Sequence, residues 1–213
     1  MQFLSTKIVC VWFLFFFLQI LDGILYNVSD KLGGCVMVEL VKQDFDKNKA
    51  HYKIVEADLV QELGDVVNID HVGSTAIPDM FGKNIIDVLL GVDDKVQFDS
   101  VLQKLVDKGY FASQNSKTDI YQFFASRQGE TGDGDVHLHL VIKGTERYND
   151  FLTLRDYLLE NPFEAEAYSN HKKVLVSSGV TDRKEYRRIK SEYVSALIDR
   201  AREYAENKTK TLE

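Results

Sequence analysis

The sequence predicts an α+β domain, with a small mixed β-sheet and flanking helices followed by a C-terminal helical half. Three observations carry this. Four short apolar runs between residues 66 and 142 have strand length. From Thr145 onward, apolar residues recur at helical spacing. No repeat or Pro/Gly-rich linker divides the two parts.

Residues from about Phe45 to Leu63 place Tyr52, Val55, Leu59 and Leu63 three and four apart, which predicts an amphipathic helix ended by Gly64 and Asp65. Val66 to Ile69 reads as a short strand running into His71-Val72-Gly73-Ser74. Thr75 to Phe81 contains Pro78 and predicts a turn or a single helical turn, with Ser74 or Thr75 able to cap it. Asn84 to Val92 (NIIDVLLGV) is apolar but for Asp87 and fits a buried strand. Asp94 to Gly109 predicts a helix with Val101, Leu102, Leu105 and Val106 inward and Gly109 as C-cap. Tyr121–Ala125 and Val136–Ile142 read as strands joined through the loop Gly129–Asp135. Three helices complete the chain. One runs from Thr145 to about Glu160, one follows the break at Asn161-Pro162 and stops near Gly179, and one starts at Asp182. Residues 37–206 are thus expected to be one domain, and 207–213 a polar, frayed tail.

The composition is that of a globular protein: 213 residues, 45% apolar and 28% charged. The formal charge of -7 argues against a duplex nucleic-acid partner, which favours a basic face. A nucleotide or phosphorylated metabolite stays compatible with it, because bound cations screen phosphates. The cysteines, Cys10 and Cys35, leave the rest of the chain without disulfide or thiolate metal site.

Residues 1–36 stand apart. Ile8 to Leu21 is an apolar run of 14 residues, shorter than the roughly 20 of a membrane span and within the 7–15 of a signal-peptide core. Leu32-Gly33-Gly34-Cys35 has lipoprotein-box character, but Asp30 and Lys31 separate it from that run. Ordinary sequence begins at Met37. Two readings therefore stand: an exported or membrane-associated protein, or a start codon set too early and a cytoplasmic protein starting at Met37.

Two clusters carry chemistry. The first is His71, Gly73, Ser74 and Thr75, followed by Lys83 and Asp87. A Gly-Ser turn after a strand presents backbone N–H groups suited to phosphate. An ionised Asp87 in an apolar strand needs a partner, either a metal ion or a cation such as Lys83. The second is His137-Leu138-His139, whose imidazoles share one strand face and suit a transition metal or acid–base work. In the helical half the basic residues Lys172, Lys173, Arg187, Arg188 and Lys190 read as a solvated face. Arg155 is the exception, set among Leu154, Tyr157 and Leu158, and its head is expected to reach back to the sheet; Arg127 can do the same.

HVGSTAIP at 71–78, KNIIDVLLGV at 83–92, HLHLV at 137–141, LRDYLLENP at 154–162, AYSNHKKVL and EYRRIKSEYV together resemble the GrpB family, from about Val38 to Tyr204. That family is similar in fold to the nucleotidyltransferase superfamily. The resemblance implies transfer of a nucleotidyl group from an NTP to a small acceptor, with Mg²⁺ or Mn²⁺ as cofactor and Zn²⁺ as the softer alternative. It implies Asp87 as the first metal carboxylate; on the adjacent strand, where the superfamily would have a further acid, this chain has His137 and His139, which would substitute as metal ligands, with Arg155 neutralising developing charge. His71, Gly73, Ser74, Thr75, Lys83, Lys172 and Lys190 are the phosphate contacts it implies. The superfamily pattern also wants a second acid two residues after the first, where this chain has Leu89, and Asn84 stands where the family usually has Pro. Two alternatives follow: a binding module without turnover, or a hydrolase with a zinc site of His71, His137, His139 and Asp87, which requires His71 to converge on the HxH strand.

Overall fold

A computed structural model describes residues 38–64, 67–126, 134–180 and 182–212. The expectations for residues 1–36, for Arg127 and for most of the 129–135 loop lie outside the described residues.

The central sheet holds five strands, in the order β2-β4-β7-β6-β5. They are β2 (Asn68–Val72), β4 (Ile86–Val92), β5 (Phe111–Lys117), β6 (Tyr121–Ala125) and β7 (Val136–Ile142). β4 and β7 run parallel, and the other pairs are antiparallel. A two-stranded ribbon pairs β1 (Val41–Lys42) with β3 (Phe81–Gly82). The helices are α1 (Phe45–Leu63), α2 (Lys95–Asp107), α3 (Glu146–Glu160), α4 (Pro162–Ser177) and α5 (Arg183–Leu212).

Local chemistry sets the helix starts. The Asp44 carboxylate accepts from Lys47 N, Asp94 from Gln97 N and the Thr145 hydroxyl from Tyr148 N. Asn161-Pro162 ends α3 and opens α4 with proline at the first turn, where its missing N–H costs nothing.

Strand alternation divides the packing. Val88, Leu90, Leu138 and Leu140 face Leu59 of α1 and Phe98 and Leu105 of α2 in one dry cluster. On the opposite face Leu89, Val72, Tyr121 and Val141 meet Tyr148, Phe151 and Leu152 of α3. A third cluster joins Ile77 and Met80 to Tyr157, Leu158, Leu197 and Ala201, tying the segment after β2 to the helical half.

Several boundaries differ from the sequence reading. β2 extends through His71 and Val72 rather than stopping at Ile69. Ser74–Ala76 forms a 3-10 turn capped by Gly73, with no side-chain cap from Ser74 or Thr75. Val106 is exposed, because the inward stripe of α2 is Phe98, Val101 and Leu105. Gly109 follows the C-cap, Lys108, instead of being it, at φ 97°. α5 continues to Leu212, so helix covers the tail expected to fray. β5 is a strand the sequence reading lacks: FASQNSK is polar and sits at the sheet edge, where half-exposed strands carry little apolar signal.

Candidate functional site

β4 and β7 place Asp87 beside His137 and Leu89 beside His139 in parallel register. The pleat turns Asp87, His137 and His139 to the α3 face and the intervening Val88 and Leu138 into the apolar core. The sequence expectation of two histidines on one face is therefore met.

Both rings meet one carboxylate oxygen. His137 Nδ1 lies 3.3 Å and His139 Nε2 3.5 Å from Asp87 Oδ1. Burial alone would raise the Asp87 carboxyl, but hydrogen bonds and charge from the two imidazoles hold it well below the ordinary carboxylate range. Burial lowers His139, with Asp87 opposing that shift. Tyr121 Oη is 3.0 Å from His139 Nδ1, and burial pushes this phenol up to about 12. With Tyr121 protonated, its O–H donates to Nδ1, which leaves the Nε2–H to donate to the ionised Asp87. Arg147 covers the Tyr121 ring at 3.9 Å. Tyr121, Arg147 and Phe151, which touches His139 at 4.7 Å between ring centroids, are site neighbours that sequence reading missed. Only tertiary contact identifies them.

The other carboxylate oxygen abuts Gly73. A Cβ built at Gly73 would stand 2.2 Å from Asp87 Oδ2, and Gly73 has φ 74°, so the position is restricted to glycine twice over. Ser74 Oγ packs in the same way on Gly82 of β3, 2.4 Å from where a Cβ there would lie. α4 grips that ribbon. Ser169 Oγ accepts from Phe81 N at 2.8 Å, and Lys172 Nζ donates to Phe81 O. Lys172 is only 3% exposed, and no carboxylate stands within ion-pair distance of it among the described residues. Its Nζ lies 4.7 Å over the Tyr168 ring. Burial first, and the charge of Lys190 second, bring Lys172 down to about 7, while the charge of Asp87 opposes them. Gly73, Ser74, Asp87 and Lys172 are thus gathered around β3 and the end of β2.

Lys172 corrects the reading of a wholly solvated face. The signal for its burial was present: Ala165, Ser169, Lys172 and Leu175 form the buried stripe of α4 at spacings of four and three. Lys190 is half-buried on α5, and Lys83 is half-buried between β3 and β4.

His71 and Arg155 stand elsewhere. His71 pairs with Val88 across β2 and β4, whereas Val72 pairs with Asp87, so His71 projects from the opposite face. It stacks on Tyr52 of α1 at 4.5 Å and 4°, and its Nε2 is 3.0 Å from Thr75 Oγ1. Burial lowers it to about 4. The convergence needed for a four-ligand zinc site does not occur. Thr75 is fully buried between His71 and Ile85 O, so its hydroxyl serves the turn. Arg155 does reach back to the sheet, where Nη1 lies 3.0 Å from Asp70 and 3.5 Å from His71 O.

The Mg²⁺ or Mn²⁺ site implied by the family resemblance does not fit these residues. Mg²⁺ takes oxygen donors, and carboxylates suit Mn²⁺ as well. Here position 89 is a fully buried Leu89 packed among Val72, Tyr121, Val141 and Tyr148. Asp87 accepts from both imidazoles through one oxygen and has Gly73 against the other. Among the described residues no group of three or more His, Cys, Asp or Glu side chains is placed to hold an ion.

The family model described as GrpB protein matches residues 37–211. A UPF0157 protein of Streptomyces coelicolor is 27% identical over 171 residues, which is 80% of this chain and 88% of that protein. The glutamate-rich protein GrpB of Alkalihalophilus pseudofirmus is 29% identical over 162 residues, 74% of this chain and 88% of that protein. The crystal structure of conserved protein GrpB from Enterococcus faecalis superposes with a TM-score of 0.67 at 22% identity, covering 78% of this chain and 99% of that one. That likeness supports the fold alone.

Proposed function

Because the chain belongs to the GrpB family, whose α+β fold it shares, we propose that Gly73, Ser74, Asp87 and Lys172 line a cleft that binds a nucleotide or phosphorylated metabolite. The observation that carries this reading is Lys172. A buried ammonium without a carboxylate partner costs folding free energy, and an anionic ligand at the Gly73–Ser74 turn would supply the missing charge. Lys190, whose charge acts on Lys172, and Lys83, next to Gly82 in the chain, would be weaker, half-exposed contacts. Asp87 and the two histidines would face the ligand through hydrogen bonds, and no step is assigned to a metal.

Calorimetric titration of the full chain with ATP, GTP, CTP and UTP in EDTA tests this reading. Binding that persists in EDTA and falls at least tenfold in Lys172→Met supports it. Absence of binding to any of the four, with or without Mg²⁺, overturns it for nucleotides.

Nucleotidyl transfer is the second reading. The approach of Gly73 to Asp87, which joins the Gly-Ser turn to the acidic strand, favours it. Binding that requires Mg²⁺ or Mn²⁺ and vanishes in Asp87→Ala would move the assignment to this reading.

A further inference from the structure

At the outer edge of the sheet, α1, β2 and α3 enclose a depression of about 220 Å³, lined in part by Phe45, Lys49, Tyr52, Lys53, His71 and Arg155. We propose that this depression binds a small aromatic anion, an aryl phosphate or aryl carboxylate, separately from the cleft around Asp87.

The charge of the lining sets the sign of the ligand. Among the described lining residues three side chains are basic and none is acidic. Lys53 pairs with Glu56 at 2.5 Å, and Arg155 pairs with Asp70 and Asp156 at 3.0 and 2.7 Å. Lys49 has no carboxylate partner among the described residues, so it is the cation available to a newcomer. Arg155 is held in place by its two acids, with part of its donor fork left for a ligand.

The walls set the body of the ligand. Tyr52 and His71 stack face to face, nearly parallel, with 4° between their planes, and Phe45 stands on the same side of α1. His71 contributes a ring and not a charge, because its Nε2 is engaged by Thr75 and burial keeps it neutral above about pH 4. The volume lies below the roughly 300–1,000 Å³ of sites for drug-sized ligands, which suits one ring with its anionic group. His71 turns to the α1 face of β2 and Val72 to the α3 face beside Asp87, so the two sites meet different residues of β2, and Arg155 reaches the depression from α3 around the sheet edge, where it holds Asp70. Neither inference depends on the other.

The test is a ¹⁵N-resolved NMR titration of the full chain with phenyl phosphate and, in parallel, inorganic phosphate. The expected result is a saturable shift of the Lys49 and Ala76 amides with phenyl phosphate. Affinity should fall about tenfold in Lys49→Glu, an exposed charge reversal that leaves the core untouched, and should be unchanged in Lys172→Met. Inorganic phosphate is expected to bind at least tenfold more weakly. No saturable shift at these amides, or equal binding by Lys49→Glu, overturns the proposal. So does a response confined to Ser74, Phe81 and Lys172, which would place the probe in the other cleft. Equal affinity for the two probes overturns the aromatic part.

Discussion

Along β4 and β7, Val88, Leu90, Leu138 and Leu140 turn to α1 and α2 and are completely buried, whereas Asp87, His137 and His139 turn to α3 and remain partly open to solvent. The same two strands build both faces, in one register, with opposite chemistry. The apolar face is closed by dispersion and by water exclusion, and each fully buried Leu contributes about 1.5–3 kcal/mol. The other face gives up part of that burial to an ionised carboxylate, two imidazoles and a phenol, which satisfy one another by hydrogen bonds. A parallel central pair buried on both sides would ordinarily be apolar throughout. The departure at 87, 137 and 139 is what makes this face the candidate site.

The largest effect that separates the faces is expected on the dry one. Leu138→Ala removes a fully buried side chain from the α1–α2 cluster and should cost about 2–5 kcal/mol, read as a lower urea midpoint. The protein that remains folded should keep its affinity for the cleft ligand. A loss of affinity as large as the loss of stability would show that the faces are not independent.

Gly73→Ala comes next and acts at the junction. The new Cβ must clear Asp87 Oδ2, 2.2 Å away, in a backbone conformation with φ 74°. A cost of about 2–3 kcal/mol is expected, together with loss of cleft binding, because either the turn or the carboxylate has to move. Unchanged affinity and stability would mean that the contact between turn and acid is not needed.

The divide between the faces also explains what could be read in advance. NIIDVLLGV and VHLHLVI announce their strands because a buried parallel pair needs continuous apolar sequence, and the polar residues interrupting them announced the site. The location of His71 could not be read. HVGST is contiguous, but adjacent strand residues face opposite sides, and only the pairing of β2 with β4 shows that Val72, and not His71, sits beside Asp87. Arg155 was legible as a residue reaching the sheet, though not that Asp70 would receive it. β1 and β3 have two residues each and leave no periodic trace, yet Phe81 is what anchors Lys172 from 91 residues away. Long-range pairing of this kind is invisible to local pattern.

The smallest and most specific effect separates stability from function at Lys172. In the folded chain its pKa is about 7, against about 10.5 when exposed in the unfolded chain, so the unfolded state holds more protons between those values. Stability from this group therefore rises with pH across that window, and its destabilising contribution is full at and below about pH 7. Lys172→Met keeps the length and apolar stem and removes the charge. It is expected to stabilise the protein by about 1–3 kcal/mol at pH 7, with the advantage over the parent shrinking toward pH 10. The parent should lose ligand affinity as pH rises above about 7, because a phosphate at the turn favours the protonated amine and its binding takes up a proton there. The variant should bind weakly with no such pH dependence. Paired thermal melts and titrations at pH 7, 8 and 9 measure both quantities. A variant that is less stable at pH 7, yet binds as the parent does, would make Lys172 a structural donor to Phe81 and remove it from the cleft.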